Sequence, residues 1–330
     1  MNDQTDPSIE LERLAKLLEG SRAYRVTRRL KPLQSPQPTP DAARTARIAI
    51  VDSETTGLNC PEDRMIDIGA LMVEIDVQSG ELLRVLGNWT GLEDPGVPIP
   101  PNITALTGIT QAMVAGHRFD EDGLRAHLSG CALVIAHNAS FDRPFFEARF
   151  PWFERIPWAC SQRLVDWQRE GFGSSKLEFI AYRLGYFFDG HRALVDCHAL
   201  ARILFESRLA STGESALCRI LDAFEAPDYV VYANAAPFEA KDVLKAHGYR
   251  WDAEGKVWSK ALIEPDEQAL QDELDWLRIN VYTHRPARVQ VEHRDALVKY
   301  TGRSGYTELR SIGPQGDSGR AFTSAGRRGF

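Results

Sequence analysis

From residue 47 to about residue 208 the chain alternates short apolar runs with amphipathic stretches. "ARIAIVDSE" is an unbroken apolar run that turns polar at its end, the pattern of a strand buried on both faces. "RMIDIGALMVEID" and "LLRVLGNWTGL" predict a second and third strand joined by the turn "VQSGE", so the domain opens with a meander. Beyond it the apolar spacing becomes helical over about Asn102–Leu106 and Phe119–Leu128. The run Ala132–Ala136 then predicts a buried strand feeding a helix that begins near Ser140. "LEFIAYRLG" is an amphipathic helix closed by Gly185, and "ALVDCHALARILFESRLAST" is a long helix. Mixed strands with covering helices predict an α/β fold, whose polar residues gather at strand ends and helix starts.

The flanks read differently. Ile9, Leu11, Leu14, Leu17 and Leu18 fall at helical spacing between Ser8 and Gly20, giving a helical segment within residues 1–30. "LQSPQPTPDAARTA" is too poor in apolar residues to fold, so residues 31–46 are expected to be a Pro-rich linker. The main domain is expected over 47–226. A small α+β accessory domain is expected over 227–300: strand "DYVVYANA", helix "PFEAKDVLKAHG", a hairpin turning at Glu254-Gly255, helix "PDEQALQDELDWLRIN" and a last strand "ARVQVEH". From Thr301 the chain has seven glycines and five arginines among scattered apolar residues; 301–330 is expected to be a disordered basic tail.

Composition narrows the class. Five cysteines, widely spaced and without a C-x-x-C pair, indicate neither a disulfide framework nor a zinc site. With no signal-like or membrane-spanning stretch, the expectation is a cytoplasmic protein with no membrane partner. The net charge of −7 is unevenly spread: residues 1–47 carry +3 and 288–330 carry +4, leaving −14 in the centre. An acidic centre between basic ends fits a metal-carboxylate enzyme acting on nucleic acid, and fits an acidic protein with solvated ends nearly as well.

The chemistry is concentrated in three places. Asp52 and Glu54, two apart on one strand, share a face, and neighbouring carboxylates in a recessed place need a cation or a proton between them. "IAHNASFD" ends a strand and brings Asp142 into the first turn of a helix; "GHRALVD" sets His191 five residues before Asp196. Hard oxygen ligands suit Mg²⁺ or Mn²⁺. Because Mg²⁺ is ordinarily held by one or two carboxylates, four suggest two ions, which about 3.5–4 Å apart clamp an in-line phosphoryl displacement.

Asp52-x-Glu54 in "DSETTGL", "HNASFD" with Asp142, and "HRALVD" with His191 and Asp196 resemble, in order, the three motifs of the DEDDh family of 3′-5′ exonucleases, which includes the proofreading epsilon subunit of bacterial replicative polymerases and RNase T. "LTGIT" (Leu106–Thr110) and "WACSQRL" (Trp158–Leu164) resemble stretches of that family too, and the similarity covers about residues 47–208. The resemblance implies a ribonuclease H-like mixed sheet flanked by helices. It also implies two Mg²⁺ or Mn²⁺ ions on Asp52, Glu54, Asp142 and Asp196, His191 as general base, and release of nucleoside 5′-monophosphates. It further implies that Thr55, Thr56, Gly57 and Leu58, with Phe141, hold the 3′ end. The expected partner is nucleic acid with a free 3′ end, DNA before RNA. An exoribonuclease, or a catalytically silent nucleic-acid-binding adaptor, are the alternatives.

His198, about 200° round the helix from Asp196, is assigned a structural role, and His137 a role in orienting its neighbours. Phe238, Tyr249, Trp251 and Trp258 interleave with Lys241, Lys245, Arg250, Lys256 and Lys260, which is single-strand-binding chemistry, though aromatics in a small hairpin also serve as core. A substrate-holding role, or docking of a protein partner, is the expectation for this domain. On that reading, deleting 228–330 weakens binding of long DNA and spares turnover of a dinucleotide.

Overall fold

The computed structural model describes residues 7–37, 42, 44–263, 267–283 and 285–313. An N-terminal helix α1 (Pro7–Glu19) leads to a two-residue strand β1 (Arg28–Arg29), and then the first large sheet begins. Its strands β2 (Thr45–Thr55), β3 (Met65–Asp76) and β4 (Leu82–Leu92) form the expected antiparallel meander. In β3 eleven of twelve positions are buried because helices cover it, so the alternation of a half-exposed strand is lost. Helices α2 (Pro101–Thr107), α3 (Gln111–Val114) and α4 (Glu121–His127) lead to β5 (Cys131–Ala136), which runs parallel to β2. After α5 (Ala139–Arg149), β6 (Trp158–Cys160) adds parallel to β5, giving the order β4-β3-β2-β5-β6. A meander extended by parallel strands and flanked by helices is the ribonuclease H-like α/β arrangement expected from the sequence.

One face of the sheet carries α6 (Ser161–Leu164), α7 (Leu177–Arg183), the strand β7 (Tyr186–Phe187), α8 (Ala193–Glu206) and α9 (Ala216–Ala223). Ile48, Ile50, Leu71, Val73 and Ile135 meet Leu200, Ile203, Leu204, Leu217 and Ile220 there. On the other face Ala49, Val51, Ala70 and Val134 meet Phe146, Phe150, Phe153 and Trp158. Successive side chains of β2 therefore feed two separate cores, which is why its sequence is continuously apolar.

The C-terminal unit is a second five-stranded sheet. Its strands are β8 (Asp228–Ala233), then, after helix α10 (Lys241–Ala246), β9 (Arg250–Asp252) and β10 (Val257–Leu262), and, after α11 (Glu267–Asn280), β11 (Ala287–Arg294) and β12 (Tyr306–Ile312). They pair in the order β12-β11-β8-β10-β9. Tyr229, Val231, Leu244, Tyr249, Leu270, Leu274 and Leu277 form its core, with Trp258 packed against it. Of the aromatic residues considered for stacking on bases, Tyr249 is thus interior, while Phe238 and Trp251 are exposed. Lys260 is spent on an ion pair with Glu273 at 2.5 Å.

Two expectations are corrected. Thr301 to Gly313, expected to be disordered, contains β12, which pairs with β11 over seven residues. Its Glu308 and Arg310 masked the alternation that a strand would show. The rest of the expected tail lies outside the described residues. Within the expected linker, Leu33 is buried in the main core, its backbone N–H donates to His198 Nδ1 at 3.2 Å, and Ser35 Oγ accepts from Val85 N. The C-terminal unit also packs on the first domain. Residues 295–303 return to the first domain, where Ala296 O accepts from Trp158 N at the edge of β6, Tyr300 joins the core, and the buried Lys299 ammonium donates to Phe224 O and Ala226 O. Among the described residues no helix is long and apolar enough to cross a membrane.

Candidate active site

The end of β2 brings its two acidic side chains to one face, as period-two geometry requires. They meet Asp196 in the first turn of α8: one carboxylate oxygen each from Asp52, Glu54 and Asp196 lie within 4.8 Å of one another. The meeting depends on glycine. Asp52 pairs across the sheet with Gly69, and α8 starts directly on that glycine, where a Cβ would stand 2.5 Å from Ala193 C and Leu194 N. Asp196 reaches back to accept from Arg192 N at 3.1 Å, closing the first turn.

Asp142, on α5, is buried and stands outside that triad; its Oδ1 accepts from Ser53 Oγ at 2.8 Å. His191 lies in the turn before α8 with a left-handed backbone (φ +64°), and its Nε2 is 3.7 Å from Glu178 Oε1 on α7. His137 Nδ1 bonds Ser161 Oγ and its Nε2 bonds Ser175 O, so both nitrogens are occupied away from the carboxylates.

The electrostatics follow from placement. Burial, then the neighbouring charges of Asp142, Asp196 and Glu54, hold the Asp52 carboxyl well above its ordinary value. Burial and then Asp196, Asp67 and Asp142 push Glu54 up to about 8, against the opposing pull of Arg192. Asp142 rises to about 7 by burial, despite its bonds with Ser53. Asp196 also rises to about 7 by burial, and Glu178 adds to it. A set of oxygen donors so placed is short of positive charge, which fits a hard divalent cation.

Pattern reading missed Asp67. It is almost wholly buried opposite Glu54 on β3; Oδ2 accepts from Arg192 Nε at 3.1 Å, and Oδ1 has no hydrogen-bond partner among the described residues. Burial raises its pKa, and Arg192 pulls it back. The signal was available as the one carboxylate within "RMIDIGALM". Arg143 gave no such signal, since an arginine in a first helical turn reads as a surface residue. It is fully buried, bonded to Glu147 at 2.7 Å and to the carbonyls of Ala296, Leu297 and Lys299 at 2.9, 2.5 and 2.7 Å.

The expected 3′-end residues divide. Leu58, 79% exposed, and Phe141 line a cavity of about 670 Å³ with Asn59, Glu62, Asn138 and Ser140. The side chains of Thr55 and Thr56 build the loop instead: Thr55 Oγ1 donates to Gly57 O, and Thr56 Oγ1 donates to Asp63 Oδ1 while accepting from Arg64 N. At Gly57 a Cβ would sit 2.5 Å from the Asp63 carboxylate, so any side chain there displaces it.

A ribonuclease H-like sheet with a carboxylate cluster gathered at the ends of β2 and the starts of its helices defines a nuclease-type domain. The sequence pattern of the family described as Exonuclease matches residues 49–204. Exodeoxyribonuclease 10 of Escherichia coli (strain K12) is 30% identical over 166 residues, covering 48% of this chain and 67% of that protein. The chain belongs to this exonuclease family. It is also 31% identical over 167 residues to the PolC-type DNA polymerase III of Clostridium perfringens (strain 13 / Type A), across 47% of this chain. The chain spans only 11% to 14% of the length of this and four further PolC-type relatives. Among solved structures, exonuclease X in complex with 5′ overhanging duplex DNA aligns with a TM-score of 0.37 and 26% identity, over 52% of this chain and 99% of that one.

Proposed function

We propose that the protein hydrolyses the terminal phosphodiester at the 3′ end of DNA and releases nucleoside 5′-monophosphates. The observation that carries the reading is the convergence of Asp52, Glu54 and Asp196 within 4.8 Å, from two elements of a family exonuclease domain, with their carboxyl pKa values raised. Those three and Asp142 would hold two Mg²⁺ or Mn²⁺ ions. When bound, the ions neutralise the carboxylates and stabilise the negative charge that grows on the phosphodiester.

The chain's own groups do the rest. Leu58 and Phe141 hold the base and sugar of the last nucleotide in their cavity. His191, whose Nε2 lies 3.7 Å from Glu178 Oε1, takes a proton from the attacking water. The water oxygen bonds to phosphorus as the bond to the preceding O3′ breaks, and that oxygen leaves with a proton from solvent. The deoxyribonuclease name of the Escherichia coli relative favours DNA over RNA.

The test is degradation of a 5′-labelled single-stranded DNA oligomer with Mg²⁺ or Mn²⁺, beside an RNA oligomer, a 3′-blocked strand, Asp52→Ala and His191→Ala. A ladder shrinking from the 3′ end, lost with EDTA, on the blocked strand and in Asp52→Ala, and slowed about 10²–10⁴-fold in His191→Ala, supports the reading. Cleavage of RNA alone moves the substrate to RNA. Binding without cleavage under every condition makes the protein an adaptor.

A further inference from the structure

Residues 21–35 contain Arg22, Arg25, Arg28, Arg29 and Lys31 and no acidic residue, in a chain whose net charge is −7. The arm is fastened beside the turn that carries His191. β1 runs parallel to β7, with Arg28 N donating to Gly185 O and Leu30 N to Phe187 O, each at 2.8 Å. Arg25 donates to Tyr182 O and Arg183 O at the end of α7, with its guanidinium 4.3 Å above the Tyr182 ring. Arg29 lies 4.9 Å over Phe187 and pairs with Asp189, two residues before His191.

Exposed aromatic and basic groups lie on the elements next to the His191 turn. His191 contacts Glu178; the next residue, Phe179, is 39% exposed and 6.1 Å from Tyr182, which carries Arg25. Tyr24 (62% exposed) and Phe187 (42%) lie on the same arm and its partner strand. Rings exposed beside cations among the described residues make a poor hydrophobic docking site. They are the combination that binds a single strand, because bases stack on rings and guanidinium planes while cations meet phosphates.

We propose that this face, formed by the N-terminal arm and α7, holds the single-stranded DNA tract preceding the nucleotide being removed. The proposal rests on the nuclease reading for its direction: the Leu58–Phe141 cavity takes the last nucleotide, and the face beyond His191 takes those before it. Arg28 is excluded as a phosphate contact, since it is committed to Glu12 and Glu19 at 2.8 and 2.6 Å. The Arg29–Asp189 pair is largely exposed, so a phosphate can displace Asp189 at little cost.

The experiment uses the full chain, with Ca²⁺ supporting binding, and fluorescence anisotropy of a labelled oligothymidylate of about 15 nucleotides. The variants are Phe179→Ala, Tyr24→Ala and the double variant Arg22→Ala/Arg29→Ala. Each aromatic change is expected to weaken binding about five- to tenfold. The double variant is expected to flatten the dependence of log affinity on log salt by about 0.7 per arginine. Turnover of a dinucleotide, which offers the face a single nucleotide, is expected to fall less than the affinity for the long strand. Affinities within twofold of wild type in all variants, or no binding by the wild-type chain, overturn the proposal. Binding that depends on Phe179 and Arg29 without any cleavage supports the face and removes the nuclease reading instead.

Discussion

Arg143 Nη1 donates to the carbonyl of Ala296 at 2.9 Å, across 153 positions of sequence, one residue after the carboxylate of Asp142. The C-terminal unit thereby reaches the helix that carries part of the site. A fully buried guanidinium needs every one of these acceptors.

Removing residues 228–313 therefore takes from Arg143 its three carbonyl partners and the strap that encloses it. The truncated chain is expected to lose its cooperative thermal transition in circular dichroism, and dinucleotide turnover with it. Arg143→Ala in the full chain is expected to cost about 3–5 kcal/mol in urea unfolding. A truncated chain that melts like the whole protein would show the strap to be dispensable.

Gly69→Ala puts a methyl group where Ala193 and Leu194 already lie, so either α8 or β3 must move. The expected cost is about 1–3 kcal/mol of stability, accompanied by weaker Mn²⁺ binding in calorimetry because Asp196 retreats from Asp52. A stability loss with unchanged Mn²⁺ affinity would separate the close approach from the site.

Without metal, Glu54, Asp142 and Asp196 keep protons when folded, up to about 8, 7 and 7, that the unfolded chain releases near 4.5 and 3.8. The stability they contribute is complete below about pH 4 and is lost as pH rises through 7 to 8. Cations compete with those protons, so the rise in melting temperature on adding Mn²⁺ is expected to grow from pH 5 to pH 8. Thermal melts in EDTA and in Mn²⁺ at each pH check this; a shift of constant size argues against cation binding at these carboxylates.

Leu58→Ala and Phe141→Ala remove the apolar lining of the cavity without touching a carboxylate. Steady-state kinetics are expected to show KM raised about tenfold, with kcat within a few fold, consistent with about 1–3 kcal/mol of stacking lost. A fall in kcat with KM unchanged would place both residues in positioning the scissile bond.

Much of this protein was legible in its residues. The apolar run of β2, the meander after it and the three carboxylate-bearing motifs are local patterns, set by which side chains alternate and where helices begin. The pairing of Asp52 with Glu54 follows from the strand period alone. Distance in sequence hid the rest. The partners of Asp67, Glu54 across the sheet and Arg192 before α8, are set only by the fold. The burial of Arg143 is not marked in its own segment, and residues 301–313 read like a tail, because their partners lie elsewhere in the chain.

The sequence by itself determined the fold class and the chemical kind of the site, since burial periodicity and oxygen-donor residues are properties of short segments. Only the tertiary structure decided that α8 rests on Gly69, that the C-terminal strap encloses Arg143 and that a basic arm runs beside His191. Each of these is a contact between segments far apart in the chain, and its energy exists only once the chain has closed on itself.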